Sequence, residues 1–130
     1  MNSPRAEPSI VIADDDSVTC LVLRMLLNEH GCKVVGEAHN GEKAIELCVN
    51  HRPDIVFLDI NMPRLDGHHA AERIRRASEG VAVIMITTQP TLDNVQKAIQ
   101  AGAGGFIVKP FNAVKVMETI DNCMKLKRQG

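Results

Sequence analysis

The chain has no tryptophan and no tyrosine, and only three phenylalanines in 130 residues. A site that stacks bases or a flavin ring needs more aromatic surface than that. No charge of one sign dominates: 15 Lys and Arg stand against 16 Asp and Glu, a formal net charge of −1. That removes a general pull toward nucleic acid or an anionic membrane, so direct nucleic-acid binding is not expected. Long hydrophobic runs are missing too. The longest, Val81 to Ile86, has six residues, against the roughly 20 that a bilayer-spanning helix needs. Met1 to Pro8 holds no apolar stretch of the secretory kind, and a cytoplasmic address is the expectation. The length suits one domain and leaves no room for a second, catalytic or output one.

Cys20, Cys32, Cys48 and Cys123 show no C-x-x-C spacing, and each lies in an apolar-periodic stretch. They read as buried free thiols of a reducing compartment. The histidines, His30, His39, His51, His68 and His69, offer no i, i+4 pair of the helical zinc kind. No metal site is expected from them.

What is present is an alternation of short apolar runs with amphipathic segments. Ser9 to Ala13 is an apolar run cut off by Asp14, Asp15 and Asp16. Val18, Leu21, Val22, Met25 and Leu26 then recur at helical spacing and mark one face of a helix, which Asn28 to Gly31 ends. Lys33 to Ala38 reads as a strand and Gly41 to Val49 as a helix with Ile45 and Cys48 inward. Ile55 to Leu58 is a third run, stopped by Asp59. A loop around Pro63 and Asp66-Gly67 leads to a helix with Ala70, Ile74 and Ala77 on one side. Val81 to Ile86 is a fourth strand, ended at Thr87, and Leu92, Val95 and Ile99 mark the helix after it. Gly105 to Val108 ends at Lys109-Pro110, and a last helix carries Val114, Met117, Ile120 and Met124.

Strands alternating with helices predict parallel β-α-β units, with helices on both faces of one sheet. The fold class is therefore α/β, a doubly wound five-stranded parallel sheet with five helices. Ligands of such sheets bind beyond the carboxyl ends of the strands. There the sequence puts Asp14, Asp15 and Asp16, then Asp59, Thr87 and Lys109, whereas His39-Asn40 at the end of the second strand looks ordinary. Singly, each is more often a helix cap or a solvated turn residue. Together they suggest one chemistry. Clustered carboxylates repel and call for a cation, and oxygen-only ligands suit Mg²⁺. A carboxylate beside that cation and a lysine can attack a phosphoryl group in line and become an aspartyl phosphate.

The run Pro53-Asp54-Ile55-Val56-Phe57-Leu58-Asp59-Ile60-Asn61-Met62-Pro63-Arg64-Leu65-Asp66-Gly67 resembles the phosphorylation-site strand and loop of response-regulator receiver domains. Asp14-Asp15, Thr87 and Gly102-Ala103-Gly104-Gly105-Phe106-Ile107-Val108-Lys109-Pro110-Phe111 resemble the family's other motifs, in the same order. The likeness runs from Ser9 to Met124. It implies a flavodoxin-like receiver fold over residues 9–126, with a flexible segment at 1–8 and a tail at 127–130. It also implies roles. Asp59 would be the phosphoacceptor, assisted by Lys109 and Thr87. Asp14, Asp15, Asp59 and the Asn61 carbonyl would hold Mg²⁺, with Asp14 acting mainly through water. Thr87 and Phe106 would be the switch pair, and the Lys109-Pro110 bond would be cis. Asp16 would be a bystander near a helix start, where an acid favours the helix dipole.

Two departures from the family's habit matter. Thr88 stands where a very small residue is usual, which bears on access to the site. Gln89 and Asn61 occupy lifetime-tuning positions, and neither is an acid, so the aspartyl phosphate should not be unusually short-lived. The implied donor is a sensor histidine kinase or histidine phosphotransfer protein. The output would be a downstream protein target, a fused domain or a phosphorylation-dependent homodimer, read from the fourth helix, fifth strand and fifth helix. The domain would be no enzyme in the ordinary sense, although it would assist its own phosphorylation and dephosphorylation. A small Mg²⁺-dependent phosphohydrolase with an aspartate nucleophile is the alternative. Its D-x-D pattern on the first strand does not match the consecutive acids here. A flavin carrier would want a Ser/Thr-rich phosphate loop where Asp14-Asp15-Asp16 stand.

Overall fold

The computed structural model describes residues 7–129. In chain order the elements are β1 (Ser9–Ala13), α1 (Ser17–Glu29), β2 (Lys33–Ala38), α2 (Gly41–His51), β3 (Ile55–Asp59), α3 (Gly67–Ala77), β4 (Ala82–Thr87), α4 (Leu92–Gln100), β5 (Gly105–Val108) and α5 (Ala113–Gln129). The strands form one parallel sheet in the order β2-β1-β3-β4-β5. The order reverses between β1 and β3, so the crevice at a topological switch point opens over the ends of those two strands. The five-strand, five-helix α/β expectation is met.

Alternation along the strands divides the core. Ile10, Ile12, Phe57, Ile84, Ile86 and Ile107 pack against Cys20, Leu23 and Leu27 of α1 and Val116, Ile120 and Cys123 of α5. Val11, Ala13, Val56, Leu58, Val83 and Met85 pack on the other face against α2, α3 and α4. All four cysteines are buried and free.

The inward faces read for four of the helices need correction. The stripe that marks α1 does not face the core: Val18, Leu21, Val22 and Met25 are exposed, while Cys20, Leu23 and Leu27, one step round the helix, are buried. Apolar residues surround much of α1, so periodicity alone could not select the inner face. Asp16 caps the helix by accepting from the Val18 N–H. The hydroxyl of Thr19 and that N–H hold the Asp16 carboxyl below the usual carboxylate range. In α4, Leu92 and Ile99 are likewise exposed, and the helix's buried residue is Ala98. Ala77 of α3 and Val114 of α5 also face solvent. Helix α5 runs through Gln129, and the Lys127 ammonium donates to the Asp54 carbonyl at 3.1 Å. The flexible segment expected at residues 1–8 lies, up to residue 6, outside the described residues.

Candidate functional site

At the carboxyl edge of the sheet, β1 and β3 end side by side, and each delivers an acid. Asp14 directly follows Ala13, and its N–H continues the β1–β2 pairing by donating to the Ala38 carbonyl at 3.0 Å. Its side chain is fully buried. One carboxylate oxygen accepts the Asp16 N–H at 2.9 Å, and the other accepts the Lys109 ammonium at 2.6 Å. Asp59, the last residue of β3, is 6% exposed. It accepts the Asn61 N–H at 3.3 Å and lies 3.5 Å from the Lys109 Nζ. Lys109 reaches both because its own N–H donates to the Thr87 carbonyl at 2.7 Å, prolonging the β4–β5 ladder by one residue. The Lys109-Pro110 bond is cis.

One ammonium thus serves two buried carboxylates. Burial and then the charge of Asp14 push the Asp59 carboxyl up to about 6, against the opposing pull of Lys109. Burial works against the charged lysine too, but the hydrogen bond to Asp14 and the two carboxylate charges outweigh it, leaving Lys109 above its ordinary value. Asp15 is exposed, and one oxygen each from Asp14, Asp15 and Asp59 lie within 4.8 Å of one another. The donor set therefore fits a hard divalent cation: oxygen only, short of positive charge, and open to water on the Asp15 side.

The remaining expected residues lie around this centre. Thr87 is fully buried, and its Oγ accepts the Gln89 N–H at 3.0 Å, which leaves the hydroxyl proton available for donation. Alternation puts Thr87 and Phe106 on the face covered by α2, α3 and α4, with Phe106 paired beside Met85. Phe106 is half-buried and lines an apolar pocket of about 260 Å³ with Val95, Ala98 and Ile99. Asn61 is exposed. Thr88 and Gln89 are exposed as well. Gly67 begins α3 against the end of β3: its N–H donates to Ile60 at 2.9 Å, and a Cβ there would collide with the Asp59 carbonyl. The expected acids, lysine and hydroxyl therefore gather on one edge, and Asp16 stands apart as a helix cap.

Sequence reasoning overlooked two neighbours of Asp14. Its carbonyl oxygen accepts from His39 Nδ1 at 3.0 Å and from Cys20 Sγ at 3.4 Å. The signal for His39 was its place at the end of the second strand. That signal has meaning only once β2 is known to lie beside β1.

The family model of the response regulator receiver domain matches residues 10–121. The chain is 39% identical over 115 residues to the chemotaxis protein CheY of Bacillus subtilis, covering 88% of this chain and 96% of that one. It is 38% identical to the transcriptional regulatory protein PdtaR of Mycobacterium tuberculosis over 86% of its own length, but spans only 54% of that protein. Among solved structures, the CheX-CheY-BeF3-Mg+2 complex of Borrelia burgdorferi superposes with a TM-score of 0.85 at 31% identity, covering 89% of this chain and 88% of that one. These likenesses favour the phosphoacceptor over the phosphohydrolase reading. With a buried aspartate at the end of β3 and a lysine beyond β5, the chain belongs to the receiver domains of two-component response regulators, the phosphoacceptor signalling modules of those systems.

Proposed function

We propose that Asp59 is the residue that takes the phosphoryl group, from a phosphohistidine of a sensor kinase or histidine phosphotransfer protein. The observation that carries this reading is the shortage of positive charge around Asp59, which has a second buried carboxylate beside it and one shared ammonium. Such a site is relieved by ligands that bring a cation and accept a hydrogen-bonded amine. Asp14, Asp15, Asp59 and the Asn61 carbonyl would hold Mg²⁺, and the BeF3-Mg+2 complex of the Borrelia relative supports that choice. When bound, the cation supplies charge neutralisation of the phosphoryl oxygens.

The chain's own residues do the rest. A carboxylate oxygen of Asp59 attacks phosphorus in line as the bond to the donor nitrogen breaks, and the departing imidazole takes up a proton. Lys109 shifts from sharing two carboxylates to pairing with a phosphoryl oxygen. Thr87 turns its hydroxyl proton toward the new group, and Phe106, on the same face, follows into the space vacated. The pocket beside Phe106 then changes shape. Its lining residues Val95 and Ile99 form part of an output face built from α4, β5 and α5, which a protein target, a fused domain or a second copy would read. Water later attacks the acyl phosphate, and no acid at Asn61 or Gln89 hastens it. No helix among the described residues is long and apolar enough to cross a membrane. A cytoplasmic setting, with its reduced thiols, fits the four free cysteines.

Intact-protein mass spectrometry after incubation with acetyl phosphate and Mg²⁺ tests the reading. The expected result is one added phosphoryl group, absent without metal and absent in Asp59→Asn. Uptake that survives Asp59→Asn would place the chemistry elsewhere.

A further inference from the structure

We infer that His39 is a positioning residue for the metal-binding acids, acting through the peptide group that joins Asp14 to Asp15; this rests on the Mg²⁺ reading of the site. Both first-strand acids hang from that one peptide. Its carbonyl oxygen belongs to Asp14, and rotation about it would swing the Asp14 and Asp15 carboxylates relative to each other and to Asp59.

Hydrogen bonds fix Asp14 at its N–H, at both carboxylate oxygens and at its carbonyl. Its N–H goes to Ala38, and its two carboxylate oxygens take the Asp16 N–H and Lys109. At the carbonyl the main donor is His39. Because a carbonyl oxygen can only accept, the His39 Nδ1 at 3.0 Å must carry the proton, in the neutral or the charged ring alike. The Cys20 thiol also approaches that oxygen, at 3.4 Å, but a thiol is a weak donor. His39 is therefore the principal one.

His39 is itself held from both sides. Ala38, before it, is paired to Ala13 and accepts the Asp14 N–H. Asn40, after it, caps α2 by accepting the Lys43 N–H at 2.8 Å. A donor fixed between a strand end and a helix cap is a rigid support. The ring is exposed, so it contributes little to the core, and packing does not explain its position. Without the ring, that carbonyl would be left to the weak Cys20 donor alone. Outer partners that orient metal ligands typically change metal affinity by about 10- to 100-fold when removed. Because this partner acts on backbone rather than on a carboxylate, the low end applies.

The test compares the whole chain as wild type, His39→Ala and His39→Asn. The Asn amide nitrogen sits as many bonds from the backbone as His Nδ1 and can donate in its place. Mg²⁺ titration by calorimetry on the unphosphorylated proteins is the main readout, with thermal unfolding in EDTA beside it. His39→Ala should weaken Mg²⁺ binding roughly ten-fold, with an unchanged melting temperature. His39→Asn should recover most of the affinity. In acetyl phosphate assays, the half-saturating Mg²⁺ concentration should rise in the Ala variant while the rate at saturating Mg²⁺ stays near wild type. Wild-type affinity in His39→Ala, or Asn no better than Ala, would overturn the inference while leaving the phosphoacceptor reading intact. A loss of affinity that merely tracks a lowered melting temperature would overturn it too. A wild-type chain that binds no Mg²⁺ would overturn the metal reading and this inference together.

Discussion

The two ends of β3 carry the same three kinds of group and behave in opposite ways. At the amino end, Asp54 meets the hydroxyl of Ser9 and the ammonium of Lys127; at the carboxyl end, Asp59 meets Lys109 and stands near the hydroxyl residue Thr87. Asp54 is satisfied. It accepts the Ser9 N–H at 2.9 Å, has Lys127 at 3.5 Å, and its side chain is 38% exposed, so water completes its solvation. Asp59 has no such relief. Water is nearly excluded, a second carboxylate competes for the lysine, and the carboxyl is pushed up to about 6. Residue types alone therefore do not make a site. What separates a structural clasp from a reactive centre is charge left uncompensated in a place where solvent cannot supply the balance.

Matched substitutions sharpen that contrast. The largest effect is expected from removing the lysines. Lys109→Met strands two buried carboxylates and should cost about 3 kcal/mol in urea unfolding at neutral pH, with Mg²⁺ restoring part of the loss. Lys127→Met removes a partly exposed pair and should cost under about 1 kcal/mol. Equal costs would erase the distinction between the two ends.

Removing the carboxylates should give opposite signs. The Asp59 carboxyl binds its proton more tightly in the folded chain than in the unfolded one. The stability it confers is therefore full below about pH 4 and is lost as the pH climbs through about 6. Above that, the ionised Asp59 is a net cost. In EDTA, Asp59→Asn should accordingly be more stable than wild type by about 2 kcal/mol at pH 8, and the advantage should fade toward pH 4. Thermal unfolding across that range checks it, and a gain that persists at low pH would point to a cause other than charge. The smallest effect belongs to Asp54→Asn. It should lose under about 1 kcal/mol and take up a phosphoryl group from acetyl phosphate as wild type does.

The acids, the lysine and the hydroxyl were legible in the sequence because each interrupts an apolar run at its carboxyl end, and in a parallel sheet those ends share one edge. Strand order was not legible from periodicity, and what depends on it was missed: the contact of His39 with the next strand's carbonyl needs β2 beside β1. The inward face of α1 was missed for another reason. Leu21 and Leu23 are equally apolar, and only the packing on Ile10 and Ile12 distinguishes the one that is buried. The contact of Lys127 with Asp54 was not legible either, because it joins residues 73 positions apart.

The scant anchoring of α4 has a consequence on the time axis. The helix connects Thr87 to Phe106 in sequence, and Ala98 is its buried residue. Arg75 of α3 adds a 3.3 Å hydrogen bond to the Ala101 carbonyl beyond its end. Segments with so little buried surface open locally, at a small fraction of the free energy that unfolds the whole domain. The backbone amides of α4 should therefore exchange with deuterium well before those of the α1 turns that hold Leu23 and Leu27, giving the chain a fast-breathing segment between its two switch residues.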